Sequence, residues 1–236
     1  MINCKITLVV NAGIVMQFGR TCIWSDVLHT EKAPRFSTVS PELAEKLLYG
    51  GVVPAPDLFL YSHCHRDHYA RDLNAQALAR WPQAKIVLPR QDFDDQLLLS
   101  EEEQALSFHG LHFRFGRLSH QGDQFADVVN YGCIINSGGF RVLLAGDCTF
   151  ETPELEDFVA GEHIDLAIMN FPWVSRPNAR EIMDQIICPD HLLIYHLPFR
   201  EDNWAGLRES AAAGARFIHN IPDLRFLQEP FQTEIY

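Results

Sequence analysis

The chain has no Cys-x-x-Cys pair, no apolar run approaching the ~20 residues of a membrane-spanning helix, no fixed-period repeat and no Pro/Gly/Ser-rich linker. Residues 1–18 also lack the basic start, long apolar centre and small-residue cleavage site of an export signal. These absences exclude a spanning helix and lead to the expectation of one continuous domain over residues 1–236 in the cytoplasm. Basic residues are scarce too. Nineteen Lys and Arg stand against 31 Asp and Glu, a formal net charge of −12, and a field of that sign repels phosphate backbones over the general surface. No nucleic-acid or membrane partner is expected. The six cysteines, Cys4, Cys22, Cys64, Cys133, Cys148 and Cys188, are scattered without a framework and read as reduced thiols.

What is present is ample apolar material: 47% of 236 residues, enough for a sizeable core. Lys5 to Val10, Gly13 to Phe18 and Thr21 to Trp24 are β-branched or aromatic runs parted by turn residues, which predicts an antiparallel meander. Ser40, Pro41 and Glu42 open a short helix, read as a lid, that stops at Gly50 and Gly51. Asp57 to Ser62 reads as a strand and Ala70 to Trp81 as a helix. Strands follow at Lys85 to Leu88, Leu111 to Leu118, Val128 to Ile135 and Phe140 to Ala145, the last two forming a hairpin across Asn136 to Gly139. Helices over Pro153 to Val159, Ala179 to Ile187 and Trp204 to Ala213 then alternate with strands Leu166 to Met169, Leu192 to Tyr195 and Arg216 to Ile218. Strands first and helices afterwards, in two halves, predict a layered α/β sandwich.

Between the Asp57 strand and the Ala70 helix the sequence reads Ser62, His63, Cys64, His65, Arg66, Asp67, His68. In an extended segment residues i and i+2 point the same way, so His63 and His65 can share one metal ion while Asp67 and His68, past a bend, face another. Imidazole and carboxylate suit Zn²⁺, Mn²⁺ or Fe²⁺.

This motif, His63, His65, Asp67 and His68 after a strand, resembles the His-x-His-x-Asp-His signature of the metallo-β-lactamase superfamily. Three later residues fit the order in which that family completes its site: His120 after a strand, Asp147 in Gly146-Asp147-Cys148 after another, and His196 at the close of Leu192 to Tyr195. The likeness runs from Lys5 to about Ile218. It implies a four-layer αββα sandwich carrying two divalent ions, Zn first. In that scheme His63, His65 and His120 hold one ion, Asp67, His68 and His196 the other, and Asp147 bridges them. Asp26, at the end of the early hairpin, is expected to support a ligand histidine, and Asp67 to orient the nucleophile and shuttle a proton. Two ions bring about +4 and the two carboxylates −2, so an acidic protein keeps an anion-attracting pocket.

The resemblance implies a hydrolase whose metal-bridging hydroxide attacks a small ester-type bond, phosphodiester slightly ahead of lactone or thioester, in a small anionic molecule. Its alternative is a metal-containing binding or sensing protein of the same fold without turnover. Relatives that cleave antibiotics are exported, those that cut tRNA carry an RNA-gripping extension, and flavodiiron proteins have Glu where His65 stands; none of these patterns is found here. His109, His112 and His191 compete with His120 and His196 but lie before or within strands, while His29, His163 and His219 read as surface or hydrogen-bonded histidines. Cys64 and Cys148 read as small buried hydrophobes and Arg66 is unassigned. The segment Asn170 to Pro177 can wall the pocket, and Glu101 to Glu103 read as a solvated helix face or part of a cover.

Overall fold

The computed structural model describes residues 4–30 and 36–236. The first six strands are β1 (Lys5–Val10), β2 (Gly13–Phe18), β3 (Thr21–Ser25), β4 (Leu58–Leu60), β5 (Lys85–Leu88) and β6 (Leu97–Leu98). They run in sequence order across one sheet, antiparallel through β3 and parallel from there on. The second sheet takes β7 (Glu103–Phe108), β8 (Leu111–Arg117), β9 (Tyr131–Ser137), β10 (Phe140–Leu144), β11 (Leu166–Asn170), β12 (His191–Tyr195) and β13 (Asp223–Phe226), again side by side. The last strand, β14 (Thr233–Ile235), returns to the first sheet and pairs antiparallel with β1.

Strand alternation sends each residue of the second sheet to one of two cores. Val142, Leu144, Leu166, Ile168, Leu193 and Tyr195 face the first sheet. Their neighbours Leu143, Ala145, Ala167, Met169, Leu192 and Ile194 face a separate apolar cluster built with α3 (Glu154–Val159), α4 (Pro172–Ser175), α5 (Pro177–Ile182) and α6 (Leu207–Ala215). Because both faces are covered, these strands are apolar throughout, as parallel strands of layered proteins are. On the first sheet, α1 (Pro41–Tyr49) and α2 (Arg71–Arg80) contribute Leu47, Leu48, Leu73 and Ala77 to the core. Two mixed sheets with flanking helices form the expected α/β sandwich.

Most predicted elements occupy their expected positions, and the exceptions have physical causes. Arg216 to Ile218 is a turn with Phe217 exposed, and the parallel neighbour of β12 is instead Asp223–Phe226. Glu103 opens the edge strand β7 and is not part of a helix: its partner β8 supplies the hairpin ladder, and burial alternates along it. The Ala179 to Ile187 helix is α5 followed by a π-helical turn over Met183–Ile187. Helix α1 begins as its Ser40 cap predicts, with the Oγ accepting the Leu43 N–H at 3.2 Å. It is not the lid expected of it, since Leu47 and Leu48 bury it against the core and none of its residues lines the large cleft at the strand ends. Among the described residues no helix is long and apolar enough to cross a membrane.

Helices α4 and α6 meet at Gly214, where a Cβ would collide with the Val174 carbonyl and crowd Arg180. Overpacking of this kind costs about 1–3 kcal/mol. Gly214→Ala should therefore lower the melting temperature by about 2–4 °C per kcal/mol lost, as read by calorimetry or circular dichroism.

Candidate metal centre

One edge of the sandwich collects the C-terminal ends of many strands. Strands β3 and β4 run parallel in the first sheet, and β10, β11 and β12 in the second. Strand β8 is antiparallel to β9, which is antiparallel to β10, so β8 ends at the same edge. Asp26 follows β3, residues 62–68 follow β4, His120 follows β8, Asp147 follows β10, Asn170 ends β11 and His196 follows β12. Residues far apart in sequence meet there because strand direction leaves them no other exit.

Between β4 and α2 the chain bends at the motif: the His68 and Tyr69 N–H groups both donate to the His65 carbonyl, at 3.0 and 2.9 Å. The bend parts His63 and His65 from Asp67 and His68. All seven side chains singled out as ligands come together. Donor atoms of His63, His65 and His120 lie within 4.8 Å of one another, as do those of Asp67, His68 and His196, and those of His63, His68 and Asp147. The Asp147 Oδ2 lies 3.5 Å from His68 Nε2, 3.7 Å from His196 Nε2 and 3.9 Å from His120 Nε2.

Hydrogen bonds at the back of the rings decide which nitrogens face inward. His120 Nδ1 donates to the Gln121 carbonyl at 2.9 Å, which turns Nε2 inward, where it is buried without a hydrogen-bond partner. Ser62 Oγ donates to Asp26 Oδ2 at 3.1 Å and accepts from His63 Nδ1 at 3.0 Å, so the His63 Nε2 lone pair also points inward. That atom meets His65 Nδ1 at 3.1 Å, and His68 Nε2 meets His196 Nε2 at 3.1 Å. Asp26 receives the Ser62 N–H at 3.1 Å and sits 3.6 Å from His68 Nδ1.

Burial, with His68 beside it, holds His63 well below the ordinary histidine range. Burial likewise lowers His65 and His196. His68 is the exception: burial opposes its charge, but Asp147 and Asp26 outweigh that and raise it well above. Asp147 is held well below the usual carboxylate range, because His196 and His68 more than offset its burial. The carboxylate of Asp147 draws the His68 proton inward, and the converging carboxylate oxygens and imidazole nitrogens are the donor types that divalent ions take, so the residues fit divalent metal ions.

Several contributors carry no signal as metal donors. Asn170 donates to Asp147 Oδ1 at 2.9 Å, and Asn130, fully buried, accepts the Asp147 N–H at 3.3 Å. Gly146, at φ +58°, leaves no room for a Cβ between Asn130 and Ser62. Asn11 reaches from the β1–β2 turn to the Asp67 carbonyl at 3.5 Å. A polar residue closing an apolar strand was the only available hint of Asn170.

The centre opens into a cleft of about 1170 Å³ lined by His65, Asp67, His120, Asp147 and His196. Phe171, Pro172 and Arg176 of the 170–177 segment wall it, whereas Trp173 is buried in the helical core. The other candidates stay outside the three donor groups at this edge. His112 pairs with Ser107 and His191 with Asp223, at 2.9 and 2.7 Å. His29 is buried near Thr38, and His163 lies on the surface before β11, hence at the opposite edge, 3.8 Å from Asp165 and 3.1 Å from Asp190 in a separate, largely exposed group. Cys148 is buried in the helical core, and Cys64 packs against the main one.

No family model matches the chain, and no curated protein matches it in sequence. Solved structures do. Igni18, a metallo hydrolase from the archaeon Ignicoccus hospitalis, superposes with a TM-score of 0.70 at 15% identity over 99% of this chain and 98% of its own. The metallo-β-lactamase fold protein YhfI from Bacillus subtilis gives 0.67 at 16% identity over the whole of both chains. CmlA, a diiron β-hydroxylase from Streptomyces venezuelae, gives 0.69 at 16% identity, with all of this chain covering 55% of that one. The two seven-stranded sheets, their flanking helices and these superpositions together establish that the chain has the metallo-β-lactamase fold.

Proposed function

We propose that the protein is a dinuclear metal-dependent hydrolase acting on a small ester-type bond in an anionic molecule. The observation that carries this reading is Asp147, whose carboxylate faces imidazole nitrogens from both sides of a cleft at the strand ends. Carboxylate and imidazole groups that converge this closely are the donor set a divalent cation takes. In this reading His63, His65 and His120 hold one ion, Asp67, His68 and His196 the second, and Asp147 joins both. Zinc is the first choice, with manganese or iron equally compatible with nitrogen and oxygen donors. The superposition on a metallo hydrolase supports hydrolysis; the one on a diiron enzyme keeps iron in view.

When bound, such ions lower the pKa of coordinated water toward neutrality and polarise the scissile bond. The protein's own groups supply orientation. Asn170 holds one Asp147 oxygen so that the other faces the histidines. Asp26 and Ser62 lock the rings of His63 and His68 from behind, a kind of support whose loss costs about 10–100-fold in affinity or activity. Asp67 stands at the cleft wall, where its carboxylate can orient the attacking water and take up its proton. Phosphodiesters are favoured slightly over lactones and thioesters, because paired cations match the two non-bridging oxygens. The six free thiols support a reducing, cytoplasmic setting.

Metal analysis after reconstitution should give two divalent ions per chain. Asp147→Ala should leave fewer than one and abolish hydrolysis, and His196→Ala should retain about one. Fewer than one tightly held ion in the unmodified protein would defeat the reading. Full metal loading with tight ligand binding, yet no turnover of phosphodiesters, lactones or thioesters, would identify a binding protein instead.

Asp26→Asn should weaken metal binding about 10–100-fold in a chelator competition assay while the far-ultraviolet circular dichroism is unchanged. Loss of fold in that variant would show that Asp26 acts on the backbone at Ser62 and not on the imidazoles.

A further inference from the structure

The two sides of the cleft differ. Phe125 lies against the His65 and His120 rings, with centroids 4.8 and 5.1 Å away, and Gln121 and Gln124 flank it. On the other side Phe36 stands edge-on to His196 at 4.8 Å, and Phe171 follows Phe36 at 6.4 Å. These rings make an aromatic strip leading away from the Asp67, His68 and His196 group. Both are only half-buried, so faces of this strip are open to the cleft.

Arg176 also lines this cleft, between α4 and α5. Pro172 opens α4 on one side of it and Pro177 follows on the other; the residue before a proline is driven to extended backbone, and Arg176 is extended at φ −100°, ψ 133°. Its main chain is therefore fixed while its side chain is exposed. No ion pair engages its guanidinium among the described residues, unlike Arg66, the other cationic residue of the lining, which the protein itself engages. Both carboxylates of the lining, Asp67 and Asp147, belong to the donor groups. In a chain of net charge −12, an uncompensated guanidinium in a cleft is a local exception to the general field, and its planar fork matches a carboxylate.

We infer that the substrate carries a second anionic group, best a carboxylate, on an aromatic or comparably flat apolar body. The body lies along Phe36 and Phe171 and the carboxylate pairs with Arg176, which makes Arg176 a specificity-determining residue. This inference rests on the hydrolase reading for the position of the scissile bond, but the anion subsite is a property of the cleft wall. Monoanionic esters lacking the distal group, and long polyanions such as nucleic acids, are poor fits to one guanidinium and two aromatic rings lining the same cleft.

The test measures binding of two probes, phenyl phosphate and 4-carboxyphenyl phosphate, to the zinc-loaded protein by calorimetry, with Arg176→Gln and Arg176→Lys as variants. Wild type should bind the carboxylated probe about tenfold more tightly. Arg176→Gln should bring the two probes within twofold of one another, and Arg176→Lys should restore part of the difference. Equal affinity in wild type, a preference that survives Arg176→Gln, or binding of neither probe would overturn the inference. Turnover separates the two claims: a carboxylate preference that depends on Arg176, in a protein that hydrolyses no ester, upholds the subsite and refutes the hydrolase.

Discussion

One carboxylate among three imidazoles sets the conditions for this structure. Asp147 lies within 3.9 Å of nitrogens from His68, His120 and His196, and His120 Nε2 is buried with no hydrogen-bond partner. A buried polar atom so placed forfeits about 1–3 kcal/mol. The fold bears that cost where the strand ends converge. The surrounding hydrogen bonds have the same character. Asn170, Asn130, Ser62 and Asp26 serve mainly to aim other polar groups, and each is itself buried or nearly so, where its orientation cannot average out.

The fold supports this by geometry. Strands of both sheets stop at one edge, and the residues just past the stops must turn sharply. Asp26, Gly146 and His196 take left-handed backbone, at φ +53°, +58° and +57°. Glycine does so freely and aspartate with modest cost, but a histidine there carries strain on the order of 1 kcal/mol or more. The neighbouring core holds that strain in place: Tyr195 and Leu197, on either side of His196, are both buried. Rigid strands on both faces of the cleft thus do what flexible loops could not, which is to hold candidate donors from four separate segments in register.

Much of this was legible beforehand, and the reasons differ by element. Strands such as β1, β2, β5 and β10 announce themselves because β-branched runs are bounded by turn residues. The candidate metal donors are legible because the 63–68 loop concentrates four of them and the rest follow strand ends. Strand β7 was hidden by the charges at its start, since an edge strand half open to solvent need not look apolar. Strands β6 and β14, two and three residues long, are too short to show a period. Asn170 shows only as a polar residue closing an apolar strand, and Phe36 carries no pattern at all: their contributions depend on tertiary neighbours, Asp147 for one and His196 for the other.

The pairing of β14 with β1 brings Cys4 and Tyr236 into mutual backbone hydrogen bonds, at 3.1 and 3.0 Å. The two extremities of the described chain are therefore neighbours in one sheet, joined as closely as any hairpin. The exposed turn at Gly138 and Gly139, between β9 and β10, lies at the edge opposite the cleft. A circular permutant that links residue 236 to residue 4 and opens at that turn would keep every strand partner and every donor in place, with the cut ends pointing away from whatever enters.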